Sequence, residues 1–107
     1  MYAVDFLRSR SVGFETLLHR PASGATKRAQ SIHIPGRRVA KTVLVRKADD
    51  FVLAVLPSTS RIDLDRLAAA LAVNPRDLRL ATPEEVGRIF HDCEPGRFPP
   101  FGRLYGL

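Results

Sequence analysis

The spacing of apolar positions changes from helical to strand-like and back along this 107-residue chain. Val39-Ala40-Lys41-Thr42-Val43-Leu44-Val45 is rich in β-branched residues and follows Pro35-Gly36, a turn signal, so it predicts a strand. Alternation places Val39, Lys41, Val43 and Val45 on one face and Ala40, Thr42 and Leu44 on the other. Both faces are mostly apolar, which predicts a central strand covered on both sides. Phe51 to Leu56 reads as a second strand. The connection Lys47-Ala48-Asp49-Asp50 has hairpin length, so the two strands should pair antiparallel. Leu64, Leu67, Ala68 and Leu71 then fall at i, i+3, i+4 and i+7, one stripe of a helix running from Leu64 to about Val73. Asp63 is placed to cap it, and Asn74-Pro75 to end it. Asp77 to Leu80 is a short strand, and the crossover from Asp63 to Leu80 implies some parallel pairing.

The sharpest local signal is Thr82-Pro83-Glu84-Glu85. Thr82 suits the N-cap, Pro83 the first helical position, and Glu85 the return bond of a capping box. Val86, Ile89 and Phe90 give that helix one apolar face, and it should end near His91. At the other end of the chain, Val4 to Leu7 predicts a short helix that stops near Gly13. Phe14 to His19 alternates and predicts a first strand, closed by Pro21. Ser23 to Ser31 carries Ala25, Ala29 and Ile32 at helical spacing and reads as a short helix. Cys93 to Gly102 contains three prolines and two glycines, a stiff loop unable to join a ladder. Together these elements predict one α+β domain over residues 1–107, a mixed, partly closed sheet with flanking helices.

Composition fits a soluble globular chain, with 45% hydrophobic and 26% charged residues. No apolar run approaches the ~18 residues of a membrane span, so no membrane partner is expected. The N-terminus lacks the basic and apolar regions of a signal peptide. Cys93 is the only cysteine, which excludes an intrachain disulfide and fits a cytoplasmic protein. The net charge is +6. Residues 1–50 hold 10 Lys/Arg against 4 Asp/Glu, and residues 51–107 hold 7 against 7, so the whole excess lies in the first half. Such a half can meet nucleic-acid phosphates, or stand as a solvated basic face.

Candidate chemistry is sparse. Lys41 is the anomaly, an ammonium group within an apolar strand. Either its stem lets the head escape to water, or the head faces a pocket. Ser58, in the loop Pro57-Ser58-Thr59-Ser60 leaving the second strand, and His33, just before the turn into the first, are candidate pocket residues. Each also fits a plain loop or packing role. Cys93 beside His91 suits an inert packing residue better than a nucleophile. No second ligand pair accompanies them, so neither a metal nor another cofactor is expected. No P-loop, dinucleotide fingerprint or serine–histidine–acid spacing occurs.

In order, the segments VAKTVLV, FVLAVLP, RIDLDRLAAAL, LRLATPEEV and CEPGRFPPFG resemble the YbaK/ProX aminoacyl-tRNA deacylase family, whose domains are similar to the editing domain of prolyl-tRNA synthetase. The likeness runs along essentially the whole chain. It implies hydrolysis of the ester that joins a wrong, small amino acid to the terminal adenosine of a tRNA. It implies that Lys41 is the functional lysine and that Gly96, Arg97, Phe98, Pro99 and Pro100 form the loop that walls the aminoacyl pocket. It also implies a substrate-assisted route, in which a tRNA ribose hydroxyl helps to activate water. Partners implied are tRNA and an aminoacyl-tRNA synthetase. Domains of that family usually continue beyond the Pro-Pro-Phe-Gly loop, whereas this sequence stops at Leu107. A C-terminally shortened domain is therefore expected, with an exposed sheet edge able to pair with a second copy.

Overall fold

The computed structural model describes residues 3–17, 33–94 and 97–107. Its centre is β1 (Ala40–Lys47), paired antiparallel with β2 (Asp50–Pro57), Lys41 opposite Leu56 and Val45 opposite Val52. The hairpin turn is only Ala48-Asp49, with Ala48 in the left-handed region at φ 51°. The Arg46 side chain donates from Nε to the Ala48 carbonyl at 2.9 Å, and the Ala48 N–H donates to the Asp77 carbonyl at 2.8 Å. These bonds hold a conformation that L-residues otherwise avoid.

The α2 helix (Leu64–Leu71) returns the chain across one face of the sheet. Asp63 caps it by accepting from the Arg66 N–H at 3.1 Å. It ends at Leu71, two residues before the expected stop, because Ala72 turns left-handed at φ 55°. Its apolar stripe meets the Val43 and Val45 face of β1. Val45 is 0% exposed, and with Ala68 and Leu78 it forms the principal core, against which Val43, Ala54, Ile62, Leu64, Leu67, Leu71 and Val73 pack.

A 3₁₀ turn at Pro75–Asp77 leads into β3 (Leu78–Leu80), which pairs antiparallel with residues 45–47 of β1. The strand order is β2-β1-β3. The α+β class therefore holds, but the parallel pairing expected from the crossover is absent among the described residues. β2 and β3 do run in the same direction; β1 lies between them, so both ladders are antiparallel.

The other sheet face is closed by α3 (Pro83–Ile89) and the C-terminal segment. Both bonds of the Thr82–Glu85 capping box are formed, at 2.9 and 3.2 Å. Leu44 and Phe90 are buried here. The Phe90 ring stacks on Phe98 at 4.4 Å and meets Tyr105 edge-on at 4.6 Å. The α1 helix (Ala3–Ser9) joins this side through Phe6, 5.0 Å from Phe101. It is stopped by Ser11 at φ 55° rather than by Gly13. The Val12 N–H caps the Leu7 carbonyl at 3.0 Å.

Residues 14–17, expected to start a strand, join no ladder among the described residues, and Phe14 and Leu17 are exposed. An alternating pattern supplies a face but no partner, and ladder bonds require one. The remainder of that expected strand, and the expected helix from Ser23 to Ser31, lie outside the described residues.

Candidate functional site

The half of β1 that carries Lys41 is built differently from the other half. β3 pairs only with residues 45–47. The next residue, Ala81, still donates its N–H to the Leu44 carbonyl at 3.0 Å, and there the chain leaves the sheet. Backbone groups on a strand point alternately to either side. The Leu44 carbonyl points toward β3, so the Thr42 amide and carbonyl point the same way, into a gap that no strand fills among the described residues.

The proline-rich tail comes up to this gap. Thr42 Oγ1 donates to the Phe98 carbonyl at 3.2 Å, a bond between residues 56 apart in sequence. Strand alternation turns Lys41 to the opposite face, with Val43 and Val45. Lys41 is half-buried and forms no ion pair among the described residues. The strand thus brings the lysine and the tail to consecutive positions beside one open edge, and Thr42 makes the direct contact.

Two cavities flank Phe98. One of about 490 Å³ is lined by Asp92, Cys93, Arg97, Phe98, Pro99 and Tyr105 among others. The other, about 410 Å³, lies against Pro83, Val86, Gly87 and Phe90 of the α3 region. Lys41 lines neither. Of the remaining loop residues, Arg97 pairs with Glu94 at 2.8 Å, Pro100 is exposed, and Gly96 lies outside the described residues.

The tail is anchored by a small polar network. Tyr105 donates from its phenol to Asp92 Oδ1 at 2.9 Å, and Cys93 Sγ lies 3.1 Å from the same phenol. Partial burial, then the contacts with Cys93 and Asp92, keep the Tyr105 phenol protonated well beyond its ordinary range. Tyr105 in turn holds the Asp92 carboxyl below its usual value. Burial pushes the Cys93 thiol up, which disfavours the thiolate that a nucleophile needs. The contact residues Thr42, Asp92 and Tyr105 were not singled out by the sequence pattern. Thr42 stood in the AKT segment, but its partner comes from a loop whose path no local pattern encodes.

Ser58 and His33 sit at the entry to β1. Ser58 is 6% exposed and donates from Oγ to the Gly36 carbonyl at 2.6 Å, while its N–H donates to the Val39 carbonyl at 2.7 Å. This bolts the 3₁₀ turn Gly36–Arg38 to the end of β2. A Cβ on Gly36 would lie 3.0 Å from Thr59 Cγ2 and 3.2 Å from Ser58 Oγ, so any larger residue there would push these side chains aside. His33 is exposed, at φ 56°.

At the far end of β1 two arginines share one carboxylate. Arg46 and Arg79 lie directly opposite each other across the β1–β3 ladder, a repulsive pairing. Glu85, 4% exposed, sits between them and accepts from Arg46 at 2.5 Å and from Arg79 at 2.7 and 3.1 Å. Bonds from Arg79, the Thr82 N–H and Arg46 hold its carboxyl far below the usual carboxylate range.

With this geometry in place, comparison with known proteins is informative. The family model described as an aminoacyl-tRNA editing domain matches residues 19–107. The chain belongs to the aminoacyl-tRNA editing domain family. The editing match takes in β1, the turn before it, both helices that follow and the whole proline-rich tail. No curated protein sequence matches this editing domain. Among solved structures it is similar to a chain from work on epitope backbone grafting by computational design onto scaffold proteins, at 20% identity and a TM-score of 0.62. That match covers 78% of this chain and 52% of the solved one, so the editing domain described here spans about half the length of its structural relative. At this identity the likeness is one of fold. No helix among the described residues is long and apolar enough to cross a membrane.

Proposed function

We propose that this editing domain is a trans-acting deacylase of the cytoplasm, which removes a small, wrongly attached amino acid from the 3′-terminal adenosine of a tRNA. Water attacks the ester carbonyl carbon, the bond to the ribose oxygen breaks, and that oxygen takes a proton as the amino acid leaves. The observation that carries this reading is the family match together with the bond that brings the Phe98 carbonyl of the tail to Thr42, next to Lys41, on an open strand edge. In this reading the Lys41 stem rounds that edge, and its ammonium holds the terminal phosphate or the developing oxyanion. Phe98, Pro99 and Pro100, stiffened by the prolines and fixed through Thr42, limit the size of the amino acid. In this reading Gly96 and Arg97 belong to the same loop, and His33 and Ser58, at the entry to β1, contact the tRNA end. Size discrimination is weak, about 1–3 kcal/mol per methylene, so a rigid wall is needed.

The test is release of free amino acid from tRNA charged with alanine, cysteine, serine or proline. Lys41→Ala should slow release by about 100-fold or more, the scale of losing one electrostatic contact to a transition state. Its thermal melt should stay close to that of the parent. A full-rate Lys41→Ala protein refutes the assignment. A second reading, a module that holds tRNA or a synthetase without turnover, is favoured by one observation: Lys41 lines neither cavity beside the tail. It predicts salt-sensitive tRNA binding with no amino acid released by the parent protein.

A further inference from the structure

Among the described residues three arginines are ion-paired, and the other cations are in no ion pair. Arg46 and Arg79 share Glu85, and Arg97 pairs with Glu94. Arg37, Arg38 and Arg61 are exposed and form no ion pair among the described residues. These three lie at the same end of the sheet. Arg37 and Arg38 occupy the 3₁₀ turn that opens β1, and Arg61 follows the Ser58-Thr59 segment on which that turn is seated. From His33 to Lys47 there are five Lys/Arg and no Asp/Glu. Asp63, the nearest acid in sequence to Arg61, caps α2.

The turn is also built to hold its shape. Ser58 spends its hydroxyl proton on the Gly36 carbonyl, and Gly36 packs closely against Thr59. Two adjacent arginines, in no ion pair among the described residues, thus project from a backbone that is held in place.

We propose that Arg37, Arg38 and Arg61 form the docking surface for the tRNA phosphate backbone, with Ser58 and Gly36 as positioning residues that fix the arginine turn. The proposal rests on the editing reading for the identity of the polyanion, and it assigns the contact to one end of the sheet. It gives the reaction a division of labour: the arginine turn holds the tRNA body, and the Lys41 edge receives the acyl end.

The experiment is fluorescence anisotropy of uncharged tRNA with the full chain, across a salt series, for four proteins. In the triple variant Arg37→Gln/Arg38→Gln/Arg61→Gln, each lost phosphate contact should lower the log–log salt slope by about 0.7–0.9. The slope should therefore fall by about 2–3 in total, and the dissociation constant should rise at least about tenfold at physiological salt. Arg76→Gln removes an exposed charge at the opposite end of β1 and should bind within about twofold of the parent, as surface contacts off the interface do. Ser58→Ala keeps every charge, so it should weaken binding with the salt slope unchanged; a circular-dichroism melt confirms that it is folded. The proposal is overturned if the triple variant binds like the parent, if Arg76→Gln loses as much, or if the parent binds no tRNA. Deacylation is scored separately. A parent that binds tRNA through these arginines but releases no amino acid defeats the editing reading and leaves the surface standing. Release by the triple variant at unchanged KM, with unchanged binding, defeats the surface and leaves the editing reading standing.

Discussion

Phe98 is held from two sides, and its aromatic side can be weighed. Its ring stacks on Phe90 at 4.4 Å with the planes 13° apart, and Phe90 also meets Tyr105 at 4.6 Å and 65°. Phe90 itself is 2% exposed. Phe90→Leu keeps an apolar branch in the space and removes both ring contacts. Each aromatic pair contributes about 0.5–1.5 kcal/mol beyond the area it buries, so the expected loss is about 1–3 kcal/mol. A domain of this length has about 5–15 kcal/mol of stability, so the variant should remain folded. Its Tm should fall by about 4–8 °C for each kcal/mol lost. The share that belongs to the Phe90–Phe98 stack is isolated by a cycle with Phe98→Leu and the double variant, measured by urea denaturation with circular dichroism. A coupling of about 0.5–1.5 kcal/mol is expected, because the double variant has only one stack to lose. Changes that add to within about 0.3 kcal/mol would show that the rings do not support each other, and the anchoring of the tail would need another cause.

Three further outcomes are expected. Thr42→Val should leave the Phe98 carbonyl without its donor, cost about 1 kcal/mol, and raise the KM for mischarged tRNA more than it lowers kcat; equal kinetics for variant and parent would separate Thr42 from the site. Ala72→Gly should stabilise the domain by about 0.5–1 kcal/mol, since relief of the left-handed strain at φ 55° exceeds the entropy that glycine adds to the unfolded chain; a lower urea midpoint would contradict this. Glu85→Gln should lower Tm at neutral pH and flatten the acid limb. The folded carboxyl titrates far below its ordinary 4.5, so its contribution is complete above about that pH and is lost as pH falls further; a parent and variant whose melting curves stay equally far apart into acid would refute it.

What could be read from sequence was local. The Thr82-Pro83-Glu84-Glu85 cap is complete within four residues, so composition alone specified both of its bonds. The hairpin needed only two β-branched runs and a short turn. Distance along the chain explains the failures. The crossover through α2 showed that β2 and β3 run in the same direction, yet nothing in it revealed that β1 lies between them. Alternation correctly separated Lys41 from Thr42, but the bond from Thr42 to Phe98 depends on how the whole C-terminal half folds back. The tail's prolines announced stiffness and not its path, and Tyr105 became legible only once it lay beside Asp92 and Cys93.

The two ends of β1 show why a strand that carries several cations can serve a ligand at one of them. A guanidinium hydrogen-bonded to a buried carboxylate has fewer donors and less charge left to offer a phosphate. Glu85 spends its whole capacity on Arg46, Arg79 and the Thr82 N–H, and in doing so it locks α3 to the sheet. That end is structural. At the opposite end the Gly36 turn is fixed by neutral bonds from Ser58, which hold the backbone and leave the arginine charge intact. Backbone rigidity without neutralisation suits a polyanion site: the turn that carries Arg37 and Arg38 is ordered before the ligand arrives. On the same strand the Lys41 ammonium is in no ion pair among the described residues, at the stretch of β1 that meets the Phe98 carbonyl; the proposed reading therefore sets both of its cationic contacts along one strand entry.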